Sequence, residues 1–378
     1  MGLAISTNLA LRHVAVRRAL EALSLDALIV TAPANIRYLT NHAGSAGTLV
    51  ATADAMHLLI DFRYQEAVRL LQSSPAACPS LRVWQVGGSY EEALLDCLAA
   101  IAVGTVGFEA GHLTVARHEW LVRTAAARGL TLSFRSTERV VEQARMVKDE
   151  AEIATLRESA RRLTAVAAAA FDLIRPGVSE RTIAARIEGA IRDAGYERPA
   201  FDTIVASGPN AALPHYRAGD RLLEAGDLVV LDFGGVLDGY CSDLTRTVAV
   251  APPSADAHRV FNAVREAQQA AIDVVKPGVA ATDVDRAARR VLEGHGLGEA
   301  FGHGTGHGLG LDVHEEPRLT RPRADMASVP LEPGMVFTIE PGAYLPGWGG
   351  VRIEDDVLVT AHGCDVLTSV QYALIPDR

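Results

Sequence analysis

Apolar residues recur at helical spacing over residues 8–23, and the run Ala27-Leu28-Ile29-Val30-Thr31 reads as a short buried strand. Two further apolar runs, 48–51 and 57–60, flank residues 52–56 and predict a β-hairpin. Residues 91–101 have amphipathic helical period, and Val106-Gly107-Phe108 predicts another strand. Alternation of this kind implies a layered α/β domain over residues 1–145. Within it, Asp61-Phe62-Arg63-Tyr64 reads as a strand end carrying a surface charge pair.

The texture changes at Met146-Val147-Lys148-Asp149-Glu150. From there an Ala-rich helical pattern runs to about Ile174, and Pro176-Gly177 breaks it. Ser179 is placed as an N-cap with Glu180 in the first turn, and Gly195 as a helix stop. A second domain is therefore expected over residues 146–378. It carries an internal repeat: Asp172-Leu173-Ile174-Arg175-Pro176-Gly177-Val178 recurs as Asp273-Val274-Val275-Lys276-Pro277-Gly278-Val279, an offset of 101 that also takes Gly195 to Gly296. Two helix–Pro-Gly–helix units, each followed by β-rich sequence, predict related halves about a pseudo-twofold axis. The alternative is that Pro-Gly merely punctuates two unrelated helix pairs.

Three β-rich segments hold the candidate chemistry. In the first, the apolar run Val229-Val230-Leu231 ends in Asp232, a Gly-rich turn follows, and Asp243 comes eleven residues later. A turn centred on Leu237-Asp238 sets the two acids directly opposite each other, with Cβ atoms roughly 5 Å apart. In another, Glu340 and Glu354 stand equidistant from Gly347 in the loop 345–349, each beside an isoleucine on an apolar run, where an unpaired Glu is expensive to bury. Between them, His303, His307 and His314 alternate with glycines over residues 302–315, so that backbones approach closely while imidazoles share a centre. Singly, each acid reads as an exposed turn residue and each histidine as a satisfied structural one. Together, Asp, Asp, His, Glu and Glu match the ligands of two divalent ions with bridging carboxylates, an oxygen-rich set suited to Mn, Co, Fe or Zn. These residues predict a two-metal hydrolase and leave its substrate open.

Composition narrows the class. The chain has 378 residues, 49% hydrophobic and 22% charged, which fits a soluble globular protein of about two domains. Lys plus Arg total 36 against 46 Asp plus Glu, and a net charge of −10 argues against a sequence-independent grip on nucleic acid or anionic lipid. The four cysteines, Cys78, Cys97, Cys241 and Cys364, form no CxxC pair and read as thiols in a reducing compartment. No apolar run is long enough for a membrane span, and no charged leader precedes an apolar stretch, so a cytoplasmic location is expected. Residues 1–6 fit a myristoylation pattern that short sequences often match by chance.

With these residues in place, the chain resembles the pita-bread metallopeptidases, in the Xaa-Pro branch of prolidases (Xaa-Pro dipeptidases) and aminopeptidases P. The resemblance covers nearly the whole chain, with Asn35-Ile36-Arg37-Tyr38-Leu39-Thr40 and Asp61-Phe62-Arg63-Tyr64 matching stretches of a creatinase-type N-terminal domain. It implies an α+β protein: an α/β front domain, 1–145, before a pita-bread catalytic domain, 146–378, with pseudo-twofold halves. It implies five ligands for two divalent ions, Mn, Co or Zn: Asp232, Asp243, His307, Glu340 and Glu354. A water or hydroxide bridging the two ions would attack the Xaa-Pro peptide bond. Glu340 doubles as the candidate proton acceptor. His215, in Leu213-Pro214-His215-Tyr216, and His314 would stabilise the oxyanion or place the substrate, His303 would line the pocket, and Arg352 would orient Asp232. A proline-containing di- or oligopeptide substrate and a homodimer, with no nucleic-acid or membrane partner, complete the expectation. Methionine aminopeptidase usually lacks such a front domain, and creatinase lacks the full ligand set. A non-catalytic peptide-binding module on the same fold is opposed by the intact acids and histidines.

Overall fold

The computed structural model of the chain describes residues 3–322 and 328–375, so Met1-Gly2 of the myristoylation pattern lie outside the described residues. Residues 3–145 form one unit and those from Met146 onward another.

The front unit contains α1 (Ser6–Ala22), β1 (Ala27–Val30), α2 (Pro33–Thr40), β2 (Thr48–Thr52), β3 (Met56–Asp61), α3 (Phe62–Gln72), β4 (Leu81–Val86), α4 (Tyr90–Ala100), β5 (Thr105–Glu109), α5 (Val115–Ala127), β6 (Ser133–Thr137) and α6 (Val140–Met146). Its sheet runs β4-β3-β2-β1-β5-β6. The β2–β3 hairpin pairs Ala51 with Met56, while β3–β4, β1–β5 and β5–β6 are parallel. Asp61 ends β3 and caps α3, accepting from the Arg63 amide at 3.0 Å and pairing with the Arg63 guanidinium at 2.7 Å. Ser89 caps α4 by accepting from the Glu91 and Glu92 amides. Ile29, Val50, Leu59, Leu94, Leu98 and Leu121 pack as the core. Asn35, fully buried on α2, donates to Glu109 and Glu142, both at 2.7 Å.

The second unit begins with α7 (Glu150–Phe171), whose start falls at the end of the 146–150 stretch where the pattern changes. Asp149 accepts from the Ala151 and Glu152 amides while Glu152 reaches back to the Asp149 amide, a capping box that fixes the start there. Residues just upstream are held outside the helix, because the Lys148 amide donates to the Gly334 carbonyl at 2.9 Å. There follow α8 (Glu180–Asp193), capped by Ser179, and strands β7 (Arg198–Pro199), β8 (Ile204–Ser207), β9 (Leu228–Leu237) and β10 (Tyr240–Ala249). Strands β7, β8 and β10 all pair with β9. The other half contains α9 (Ala255–Asp273), α10 (Ala281–Gly294), β11 (Gly306–Gly308), β12 (Glu315–Leu319), β13 (Val336–Ile339), β14 (Gly342–Leu345), β15 (Gly349–Arg352), β16 (Asp355–Val359) and β17 (Cys364–Val366). Its sheet is β12-β11-β13-β16-β17, with β14–β15 a separate ladder.

The Pro-Gly repeat is structural. Gly177 (φ +83°) donates to Leu223 and Gly278 (φ +84°) to Leu331. Leu223 returns a bond to Val178 at 2.9 Å, and Leu331 to Val279 at 2.8 Å. The offset grows from 101 at the glycines to 108 at the leucines, and that second offset carries Asp232 onto Glu340. Each half has its own core, Leu163, Ile183, Ile187 and Phe233 in one, Val260, Val284, Leu292 and Phe337 in the other. No helix among the described residues is long and apolar enough to cross a membrane. All four cysteines are free, and Cys78, Cys97 and Cys241 are buried.

Candidate active site

The β9–β10 hairpin corrects one expectation. Asp232 pairs with Thr245 and Asp243 with Gly234, so the two acids are diagonal neighbours rather than direct partners. Asp238 (φ +50°) and Gly239 (φ +84°) form the turn, one residue downstream of the expected centre. Asp-Gly suits a two-residue turn with two positive φ angles, and that preference, overlooked in favour of symmetry between the acids, is the signal for the true register. Asp232, Asp243 and Thr245 still share one face of the hairpin by the alternation of strands.

The second acid pair sits in a break between two ladders of one register. Ile339 pairs with Asp355 and Gly342 with Arg352, which leaves Glu340 opposite Glu354, as their equal distance from Gly347 implies. Between the pairs, β11 brings in His307. A Cβ on Gly306 would overlap the Thr338 carbonyl and one on Gly308 the Glu316 carbonyl, so glycine on each side lets this strand fit between its neighbours.

The side chains converge. Atoms of Asp243, His307 and Glu354 that can ligate lie within 4.8 Å of one another, and all three residues are buried. His307 Nε2 stands 4.0 Å from Asp243 Oδ2 and 3.5 Å from Glu340 Oε1. Its Nδ1 donates to the Gly308 carbonyl at 3.0 Å, which leaves Nε2 as the free lone pair. Burial lowers the His307 pKa to about 3, so the ring is a neutral ligand. Asp232 pairs with Arg352. Arg352 also donates to Tyr344 Oη at 2.9 Å, to Thr245 Oγ1 at 3.2 Å and to the Pro214 carbonyl at 3.3 Å. Thr245 donates in turn to Glu354 Oε2 at 2.6 Å.

The three other histidines differ. His215 and His314 are exposed, and the His314 ring meets His307 edge-on with centroids 4.4 Å apart. Partial burial lowers the His314 pKa first, then the Arg318 and His215 charges. His303 has both nitrogens engaged, Nδ1 on the Gly304 carbonyl at 2.7 Å and Nε2 on Tyr344 Oη at 2.8 Å.

Charge makes the site costly as it stands. Burial, then the neighbouring acids, pushes the Asp243 and Glu354 carboxyls well above their ordinary range, and burial brings Glu340 up to about 7. Asp243 Oδ1 is buried without a hydrogen-bond partner. Four carboxylates, one of them with an orphaned buried oxygen, and one neutral imidazole form a donor set that fits divalent cations of intermediate hardness. Sequence reasoning missed Thr245, Tyr344 and Thr338, whose Oγ1 accepts from the His307 amide at 3.1 Å. Thr245 was within reach of the alternation rule, two residues past Asp243. Tyr344 is the diagonal neighbour of Arg352 across β14–β15, while its other partner, His303, comes from a remote segment that gives no local signal.

Comparison with known proteins agrees with this picture. The profile of Metallopeptidase family M24 matches residues 154–361, and that of the Creatinase/Prolidase N-terminal domain matches residues 12–147. The Xaa-Pro dipeptidase of Pyrococcus horikoshii is 42% identical over 242 residues, 64% of this chain and 68% of that protein. The solved structure of an Xaa-Pro dipeptidase from Bacillus anthracis superposes with a TM-score of 0.90 at 36% identity, covering 97% of this chain and 99% of that one. An X-Pro aminopeptidase from Thermotoga maritima superposes at 0.82 with 33% identity, covering 94% and 99%. A pita-bread fold of two pseudo-symmetric halves, an acid pair contributed by each, and a profile match over most of the second unit place this chain in metallopeptidase family M24.

Proposed function

We propose that the protein is a metal-dependent peptidase that hydrolyses the bond preceding proline, in Xaa-Pro dipeptides or at peptide N-termini. The buried Asp243–His307–Glu354 cluster carries this reading, since its unpaired oxygen and crowded acids call for cations. Residues 1–145 are the creatinase-type domain and residues 146–378 the catalytic domain. Asp232, Asp243, His307, Glu340 and Glu354 would hold two divalent ions, of Mn, Co or Zn. Ions bound there supply Lewis-acid polarisation of the scissile carbonyl and a water acidified toward neutrality.

The chain's own groups do the rest. Glu340, the least buried of the four acids, accepts the proton of the attacking water. His215 and His314 donate to the carbonyl oxygen as negative charge develops on it. Arg352 pairs with Asp232 and orients it, and His303 acts through Tyr344.

Both dipeptidases and aminopeptidases stand among the structural relatives, and the dipeptidase is favoured by the higher similarity. Hydrolysis of an Xaa-Pro dipeptide and of Xaa-Pro-Yaa, under the same added metal, tests the choice. The dipeptide is expected to give the larger kcat/KM. The reverse order means an aminopeptidase, and cleavage of neither overturns the reading.

A homodimer in the cytoplasm is part of this proposal, twofold closure being the commonest assembly of soluble chains. Light scattering at micromolar concentration is expected to give twice the 40.1 kDa chain mass, or four times it for a dimer of dimers, and a purely monomeric species contradicts it.

A further inference from the structure

His215 sits on a loop rather than on a strand, so something must hold it. The segment between β8 and β9 leaves the sheet at Ser207, turns through a short 3-10 helix (Gly208–Ala212) and carries His215 near its middle. Among the described residues, the His215 ring has no hydrogen-bond partner, so backbone placement alone aims it.

Both ends of that loop meet at one buried side chain. Glu180, in the first turn of α8 and 0% exposed, accepts from the Ser207 amide at 2.8 Å, Ser207 Oγ at 2.7 Å and Asn210 Nδ2 at 3.0 Å through Oε1. Through Oε2 it accepts from the Gly219 amide at 3.3 Å. Asn210 also donates to Tyr216 Oη at 2.9 Å, and Tyr216 adjoins His215. Burial first, and then the neighbouring Glu180 carboxylate, raise the Tyr216 phenol above its ordinary range. At the apex, the Pro214 carbonyl accepts from Arg352, the same guanidinium that pairs with Asp232.

The other half uses a comparable device. Asp285, in α10, accepts from the Thr305 amide at 3.1 Å and Thr305 Oγ1 at 2.9 Å, between His303 and His307. Neither Glu180 nor Asp285 touches the acid cluster. A buried carboxylate with this many converging donors costs several hydrogen bonds to remove, far more than helix capping alone requires.

We propose that Glu180 is a positioning residue for His215: by gathering residues 207, 210 and 219 onto one carboxylate, it sets where the imidazole stands over the site. This rests on the reading of His215 as a donor to the substrate carbonyl. Glu180→Gln offers one acceptor oxygen where the carboxylate offers two, so either Gly219 or the Ser207–Asn210 set loses its partner.

The test uses the full-length, metal-loaded protein and an Xaa-Pro dipeptide, comparing E180Q, H215A and the double variant. Misplacement of a reacting group by about 1 Å costs about a hundredfold in rate, and E180Q is expected to lose between about tenfold and that figure in kcat, with KM and metal content unchanged. In the H215A background the same substitution is expected to change kcat by less than about twofold. Amide exchange over residues 208–219 is expected to speed up in E180Q. Asn210→Ala, which removes one donor, should shift kcat and exchange the same way by less, and it carries the test if E180Q does not fold. Equal losses in both backgrounds, loss of metal, or unchanged exchange overturn the proposal. Wild-type kcat in H215A overturns the reading of His215 and the proposal with it, whereas an impaired H215A with independent E180Q losses overturns the proposal alone.

Discussion

Dialysis against a strong chelator is expected to abolish hydrolysis of an Xaa-Pro dipeptide, and added Mn, Co or Zn to restore it. The reason lies in the charge of the site. Asp232, Asp243, Glu340 and Glu354 converge in a setting where burial and mutual repulsion raise three of their pKa values, and Arg352 is the cation paired within it. Stability should follow. A ligand at a hundredfold excess over its Kd stabilises the folded state by about 2.7 kcal/mol, so chelation should lower the thermal midpoint by several degrees. The metal-free form has a further signature. An acid whose folded pKa lies above its unfolded value stabilises the fold below the unfolded pKa, and that contribution is lost as pH rises through the folded one. For Glu340 the window runs from 4.5 to about 7, so thermal midpoints of chelated protein should fall across it, while metal-loaded protein changes less. Full activity in protein shown by elemental analysis to hold no metal contradicts the assignment.

The second large effect separates ligands from helpers. Asp243→Asn and Glu354→Gln are expected to lose both metal and activity. Each replaces a buried charge with a neutral amide, and in Asp243 the affected carboxylate includes an oxygen with no protein partner. Gln at 354 would also confront Thr245, which now donates to Glu354. His314→Ala should keep its metals and lose kcat by on the order of a hundredfold or more, the cost of one oxyanion donor. His303→Ala should lose less, because its ring nitrogens are engaged by Gly304 and Tyr344 rather than free for substrate. Metal content measured beside kcat for each variant decides the matter. Metal loss in His314→Ala together with retention in Asp243→Asn would overturn the ligand set.

Particular residues show where sequence reasoning stopped. The Glu340–Glu354 pairing was legible because Gly347 lies midway and the ladders on both sides keep that register. The Asp232–Asp243 register differs from the expected one by one turn residue, and Asp238-Gly239 is the local signal for that turn. The start of α7 lies within the 146–150 stretch where the Ala-rich pattern begins, and the Asp149–Glu152 capping box, which periodicity does not register, sets it at Glu150.

Local pattern along the chain carries the α/β front half, the duplicated second half and two acid pairs flanking three histidines. These follow from local periodicity, Pro-Gly punctuation and residue chemistry, all of which are written along the chain. The expected Arg352–Asp232 pair apart, folding alone brings Arg352 onto Thr245, Tyr344 and the His215 loop, engages His303 at both nitrogens, and gathers residues 207, 210 and 219 on Glu180. Those contacts join residues up to 138 positions apart, and no periodicity or spacing rule reaches that far. A buried polar group must find its partner wherever folding brings one, so its role is set by packing rather than by its neighbours in sequence.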